Sequence, residues 1–165
     1  MIILIMGVSG SGKTTVGRHL AERLGCSFAE GDDFHPPANV AKMRGGTPLD
    51  DEDRWPWLKL IADRIEAAIA GGQDLVVACS ALRAAYRDIL IAGRTDCHLV
   101  YLEGTPELIR ERMQARSHFM PPALLKSQFA TLEAPLEAER PIRVDVRYAP
   151  TDCVDRVMRE LDRRC

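Results

Sequence analysis

Apolar positions along the chain follow two periods. Unbroken runs at Ile2-Ile3-Leu4-Ile5-Met6 and Leu75-Val76-Val77-Ala78-Cys79 read as strands covered on both faces. Shorter strands are expected at 26–30, 97–102 and 142–146. Between the strands the period changes to that of a helix. Val16, Leu20 and Leu24 share one face, as do Trp57, Leu58, Ile61, Ile65 and Ile69, then Leu82, Tyr86, Ile89 and Leu90, and finally Val154, Val157, Met158 and Leu161.

Punctuation residues divide the elements. Gly25 ends the first helix. The stretch 31–37 holds two prolines and reads as a loop. A short helix is expected over 38–44, stopped by Gly45-Gly46. Asp53 is the expected cap of the next helix, with Pro56 in its first turn. Ser80 is the expected cap of the helix that ends at Gly93. Thr105-Pro106-Glu107 is a helix start, a second helical stretch covers 123–132, and Thr151 is the expected cap of the last helix. Strands alternating with amphipathic helices predict an α/β fold on a parallel sheet. Ligands in such sheets bind outside the carboxyl ends of the strands, here the loops at Gly7, Gly31, Ser80 and Gly104.

Composition narrows the picture. The 165 residues fit one domain. A net charge of −2 and a pI near 6.1 argue against nucleic acid as a partner. The five cysteines are odd in number, form no C-x-x-C and read as free thiols of a cytoplasmic protein. The first apolar run is too short for a membrane span or a leader segment, so no membrane role is expected.

The chemistry begins where the first strand ends. Gly7-Val8-Ser9-Gly10-Ser11-Gly12-Lys13-Thr14, followed by Thr15, fits the P-loop G-x-x-x-x-G-K-[ST], with the required strand before and helix after. Glycines let the backbone wrap phosphates, while loop amides and the helix N-terminus supply donors. Lys13 is expected on the β/γ-phosphates of ATP and the Thr14 hydroxyl on Mg²⁺. A regulatory GTPase is excluded, because N-K-x-D cannot be built around Asn39, the only asparagine.

Longer stretches are more specific. Gly31-Asp32-Asp33-Phe34-His35-Pro36-Pro37 and Thr47-Pro48-Leu49-Asp50-Asp51-Glu52-Asp53-Arg54-Trp55-Pro56-Trp57-Leu58 resemble the gluconokinase family. So do Cys79-Ser80-Ala81-Leu82 with Tyr86-Arg87-Asp88, and Arg116-Ser117-His118-Phe119-Met120 with Gln128-Phe129-Ala130-Thr131. The resemblance covers nearly the whole chain. It implies a three-layer P-loop NTPase fold with a five-stranded parallel sheet, a substrate-binding helical segment within 32–70 and a mobile lid at 113–130. It further implies phosphorylation of D-gluconate by ATP, often in homodimers. A kinase of another small anion, such as shikimate or a nucleoside monophosphate, and a nucleotide-sensing module without turnover are the rival readings.

Candidate roles follow from residue chemistry, each with a plainer alternative. Asp32, just after the second strand, would orient the attacking hydroxyl and accept its proton, or would only shape a turn. His35 would donate to a polyhydroxylated substrate, or be a structural histidine with its hydrogen bonds satisfied. Arg54 offers a planar fork for a carboxylate, or pairs with Asp51 or Asp53. Lys42, Arg83 and Arg87 are further candidates for the same anionic pocket, and equally exposed charges. Arg112 and Arg116, four apart on one helix, would stabilise charge on the transferring phosphoryl group. His118 and Gln128 complete the substrate set, with Gln128 either closing on substrate or facing solvent. The acidic run 50–53 reads as a helix start rather than a metal site. Trp55 and Trp57 read as packing residues, and adenine contacts are expected near Arg110 and around 147–151.

Overall fold

A computed structural model describes residues 1–91, 93–94, 96–115 and 122–164. Five parallel strands form one sheet in the order β2-β3-β1-β4-β5: β1 Ile2–Met6, β2 Ser27–Glu30, β3 Leu75–Ala78, β4 Cys97–Glu103 and β5 Ile142–Asp145. Helices α1 Lys13–Leu24, α2 Pro37–Arg44, α3 Asp51–Ala70, α4 Ala84–Ile91, α5 Pro106–Ala115, α6 Pro122–Thr131 and α7 Pro150–Asp162 connect and cover it. This is the α/β, P-loop type of sheet that the patterning predicted.

The central strand shows why its run is unbroken. Ile3 and Ile5 pack into one core with Val16 and Leu20 of α1 and Val154 and Val157 of α7. Ile2, Leu4 and Met6 point the other way, into a second core with Trp57, Leu58, Ile61 and Ile65 of α3 and Tyr86 and Leu90 of α4. Both faces of the strand are dry, so alternation of polar and apolar residues has no place in it.

The chain leaves β1 toward β2 on one side and leaves β3 toward β4 on the other. Between these neighbours, at their carboxyl ends, a crevice opens. Gly31 makes its rim possible. A Cβ there would lie 2.3 Å from the Ala78 carbonyl oxygen of β3, so only glycine lets the chain turn this tightly toward Asp32.

Several helix starts differ from expectation. Asp50, not Asp53, caps α3: its side chain accepts from the Asp53 amide at 2.9 Å while Asp53 accepts from the Asp50 amide at 3.1 Å. This reciprocal pair starts the helix earlier and leaves Pro56 inside it, beyond the first turn. Ser80 does not cap α4; the helix starts at Ala84, whose amide donates to Glu133 at 2.8 Å from far along the chain. Thr151 lies within α7, which starts at Pro150 after an extended Ala149. The stretch 31–37 is not all loop: Gly31–Phe34 form a 3-10 turn and Pro37 opens α2.

Candidate active site

The phosphate loop bends from β1 into α1 through left-handed glycines. Gly10 and Gly12 have φ of 81° and 98°, which non-glycine residues rarely adopt. A Cβ at Gly12 would meet nothing within 4 Å, so the loop faces open space there. The buried Ser11 hydroxyl has no partner among the described residues. An open concave backbone, an unpartnered hydroxyl and a helix N-terminus fit the phosphates of a nucleotide. Lys13 donates from Nζ to the Val8 carbonyl at 3.1 Å. Burial pushes its pKa down, against the charges of the Asp32 and Glu30 carboxylates.

The Thr14 hydroxyl donates to Glu30 Oε2 at 2.5 Å, so the end of β2 brings a carboxylate to the start of α1. No group of three or more His, Cys, Asp or Glu among the described residues stands ready to hold a metal alone. Hard oxygen ligands of this kind suit Mg²⁺ when phosphate oxygens complete its shell.

Beside the loop lies a pocket lined by Ser9, Lys13, Asp32, His35, Arg54 and Gln128, with Trp57, Ser80, Tyr86 and Leu124 among its other walls. It gathers the candidates Lys13, Asp32, His35, Arg54 and Gln128 from four separate parts of the chain. Asp32 is well exposed, and its Oδ1 lies 3.9 Å from Nε2 of the buried His35. The His35 ring stacks on Trp57 with centroids 4.1 Å apart, and the Trp57 indole donates to the Gly31 carbonyl at 2.7 Å. Burial lowers the His35 pKa; Asp32 opposes the shift and Arg54 adds to it. Arg54 donates to the Tyr86 hydroxyl at 3.0 Å and lies 3.6 Å from Asp51 Oδ1, so it is both a wall of the pocket and a member of an ion pair. Tyr86 in turn donates to Asp51.

Other candidates are placed elsewhere. Lys42 pairs with Asp53 at 2.7 Å outside the lining. Arg83 pairs with Asp51 Oδ2 at 3.1 Å. Arg87, a candidate for the anionic pocket or an exposed charge, is a buried residue of α4, where it holds Glu139 through Nε and Nη2 and the carbonyls of Ala81 and Glu133 through Nη1. Arg112 lines a separate small cavity with Gly10, Ser11, Gly12, Thr15 and Tyr148, where the loop meets the start of α7. Arg116 and His118 lie outside the described residues. Cys79 sits under the site, but burial pushes its thiol up to about 12, so it stays protonated and inert.

Sequence reasoning missed Glu30, Tyr86 and Asn39. Glu30 ends the second strand two residues before Asp32, and Asn39 stands four residues after His35, just past Pro36-Pro37. Both signals were visible. Tyr86 stands in one of the family-like stretches, but its hydroxyl's role was masked because it also fits the apolar face of α4.

Loop, sheet order and paired pockets define a P-loop kinase. The family model described as an AAA domain matches residues 2–135. A probable gluconokinase of Xenopus tropicalis is 44% identical, covering 99% of this chain and 95% of its own length. The gluconokinase of Gluconobacter oxydans is 46% identical over 95% of this chain and 89% of its own. The crystal structure of a gluconokinase from Sinorhizobium meliloti superposes with a TM-score of 0.89 at 44% identity, covering 98% of this chain and 91% of that one. A shikimate kinase from Acinetobacter baumannii, at 20% identity and a TM-score of 0.59, shares the fold alone. The chain belongs to the gluconokinase family and is a kinase.

Proposed function

We propose that the chain transfers the γ-phosphoryl group of ATP to the 6-hydroxyl of D-gluconate, giving 6-phospho-D-gluconate and ADP. The observation that carries the reading is the convergence of Lys13, Asp32, His35 and Arg54 on one pocket beside the phosphate loop. A polyhydroxy acid needs a cation for its carboxylate and polar groups for its hydroxyls, and this pocket offers both.

In this reading the loop amides and Lys13 hold the phosphates. Arg54 binds the carboxylate at the far end of the substrate. Asp32 accepts a hydrogen bond from the attacking hydroxyl and takes its proton as the new O–P bond forms and the bond to ADP breaks. The Thr14 hydroxyl, with Glu30 beside it, would hold Mg²⁺, which would supply positive charge to the phosphates. Arg112 and Tyr148 flank the side of the loop that suits the adenine ring of ATP. The segment 113–130, with Arg116 and His118, has the role of covering the phosphates and excluding water. Its assignment rests on the family resemblance.

Among the described residues no helix is long and apolar enough to cross a membrane. Cys26, Cys79, Cys97 and Cys153 are free thiols. These support a cytoplasmic setting. A homodimer is part of the same reading and is read out by light scattering.

The test is ADP release from MgATP with D-gluconate, shikimate, AMP or no acceptor. Stimulation by gluconate alone is expected. Stimulation by another acceptor would replace the substrate, and no stimulation with ATP binding intact would remove turnover.

A further inference from the structure

The four histidines include one, His35, whose proton can be located from the atoms around it. The reasoning starts at Asn39. This side chain is buried, at 4% exposure, in the first turn of α2. Its Nδ2 lies 2.8 Å from the backbone carbonyl oxygen of Asp53. A carbonyl oxygen only accepts, so that end of the amide is the NH₂ group. The same nitrogen lies 3.3 Å from His35 Nδ1. An amide NH₂ has only hydrogens to offer, and one of its two is already given to Asp53. The other points at Nδ1, which must therefore accept and carry no proton.

We propose that Asn39 is a positioning residue that holds His35 in the neutral tautomer protonated on Nε2, so that a fixed N–H donor faces the acceptor pocket beside Asp32. Three constraints act together. Trp57 sets the plane of the ring by stacking at 14°. Asn39 fixes which way the ring faces and where its proton sits. Nε2 is then the nitrogen on the Asp32 side, 3.9 Å from the carboxylate oxygen. Burial and the nearby Arg54 disfavour a second proton, while Asp32 favours one. A neutral donor there can bind a substrate hydroxyl oxygen without drawing the proton from it, which leaves Asp32 as the acceptor.

The role in substrate binding rests on the sugar-acid reading above; the tautomer does not. The experiment separates them. Long-range ¹H–¹⁵N spectra of the imidazoles in the intact protein, with His35 assigned through His35→Gln, report the protonated nitrogen directly. The neutral Nε2–H pattern at pH 7 is expected. An Nδ1–H pattern or an imidazolium overturns the proposal whatever the enzyme phosphorylates. Asn39→Leu keeps the volume and removes the donor, and it should give a mixture of tautomers. In that variant the KM for gluconate should rise about tenfold, the effect of one lost oriented hydrogen bond, with the KM for ATP unchanged. If the spectrum shifts and KM does not, the tautomer stands and His35 is not a substrate donor. If Asn39→Leu leaves the Nε2–H pattern intact, Asn39 is not what sets it.

Discussion

The side chain of Gln128 in α6 holds Ser9 of the phosphate loop at two points. Its Oε1 accepts from the Ser9 amide at 2.7 Å and its Nε2 donates to the Ser9 hydroxyl at 3.3 Å. Residues 119 apart in sequence thus tie the loop to α6, which lies within the proposed lid segment 113–130. Gln128→Ala leaves the Ser9 amide without this partner, at a cost of about 1 kcal/mol. The kcat/KM for gluconate should fall about fivefold to tenfold, while the melting temperature stays within a few degrees. Steady-state ADP release and a thermal melt check both halves.

Asp32 is exposed to the pocket and stands beside Lys13 and His35. Asp32→Asn keeps the shape and removes the proton acceptor. The expected loss in kcat is about 10²- to 10⁴-fold, with ATP affinity unchanged by calorimetry. Full turnover in this variant would remove Asp32 as the base.

Arg54 is held by Tyr86 and Asp51, so its guanidinium has a set orientation before substrate arrives. Arg54→Lys keeps the charge and loses the fork. The KM for gluconate should rise about tenfold to a hundredfold, the range for one charged hydrogen bond, and the KM for ATP should stay as it was. An equal rise in both constants would point to a general disturbance instead.

Arg87 should matter for stability. Its hydrogen bonds hold the Glu139 carboxyl below its ordinary value of 4.5. A carboxyl with a depressed folded pKa stabilises fully above its unfolded value, and the gain is lost as pH falls through the lower folded value. Arg87→Met should lower stability by about 3 kcal/mol at pH 7, because it breaks a largely buried pair. The gap between variant and wild type should narrow in acid melts below pH 4.5. Purified variant that still folds should keep its KM for gluconate.

The sheet and the phosphate loop were legible because each rests on local rules. A dry strand is an unbroken apolar run, and phosphate binding needs glycine at fixed spacing. Helix starts were less legible where a partner comes from elsewhere. Nothing near Ala84 announces that Glu133 will receive its amide. The same gap separates Arg54 from Arg87. Both are arginines close to motif residues, yet one lines a pocket and the other is buried against Glu139, and only the tertiary fold decides which. Asn39 marks the opposite case: its spacing from His35 was on view, but its meaning depended on the carbonyl of Asp53.

Asp53 ties together parts of the acceptor side from outside the pocket. Its carboxylate completes the α3 cap and holds Lys42 of α2, and its carbonyl receives Asn39 behind His35. The residue never touches the cavity. A substitution at 53 would keep that carbonyl but lose the cap and the Lys42 pair, so a loss of activity there would report a loosened start of α3, the helix that carries Arg54, and not a lost catalytic group.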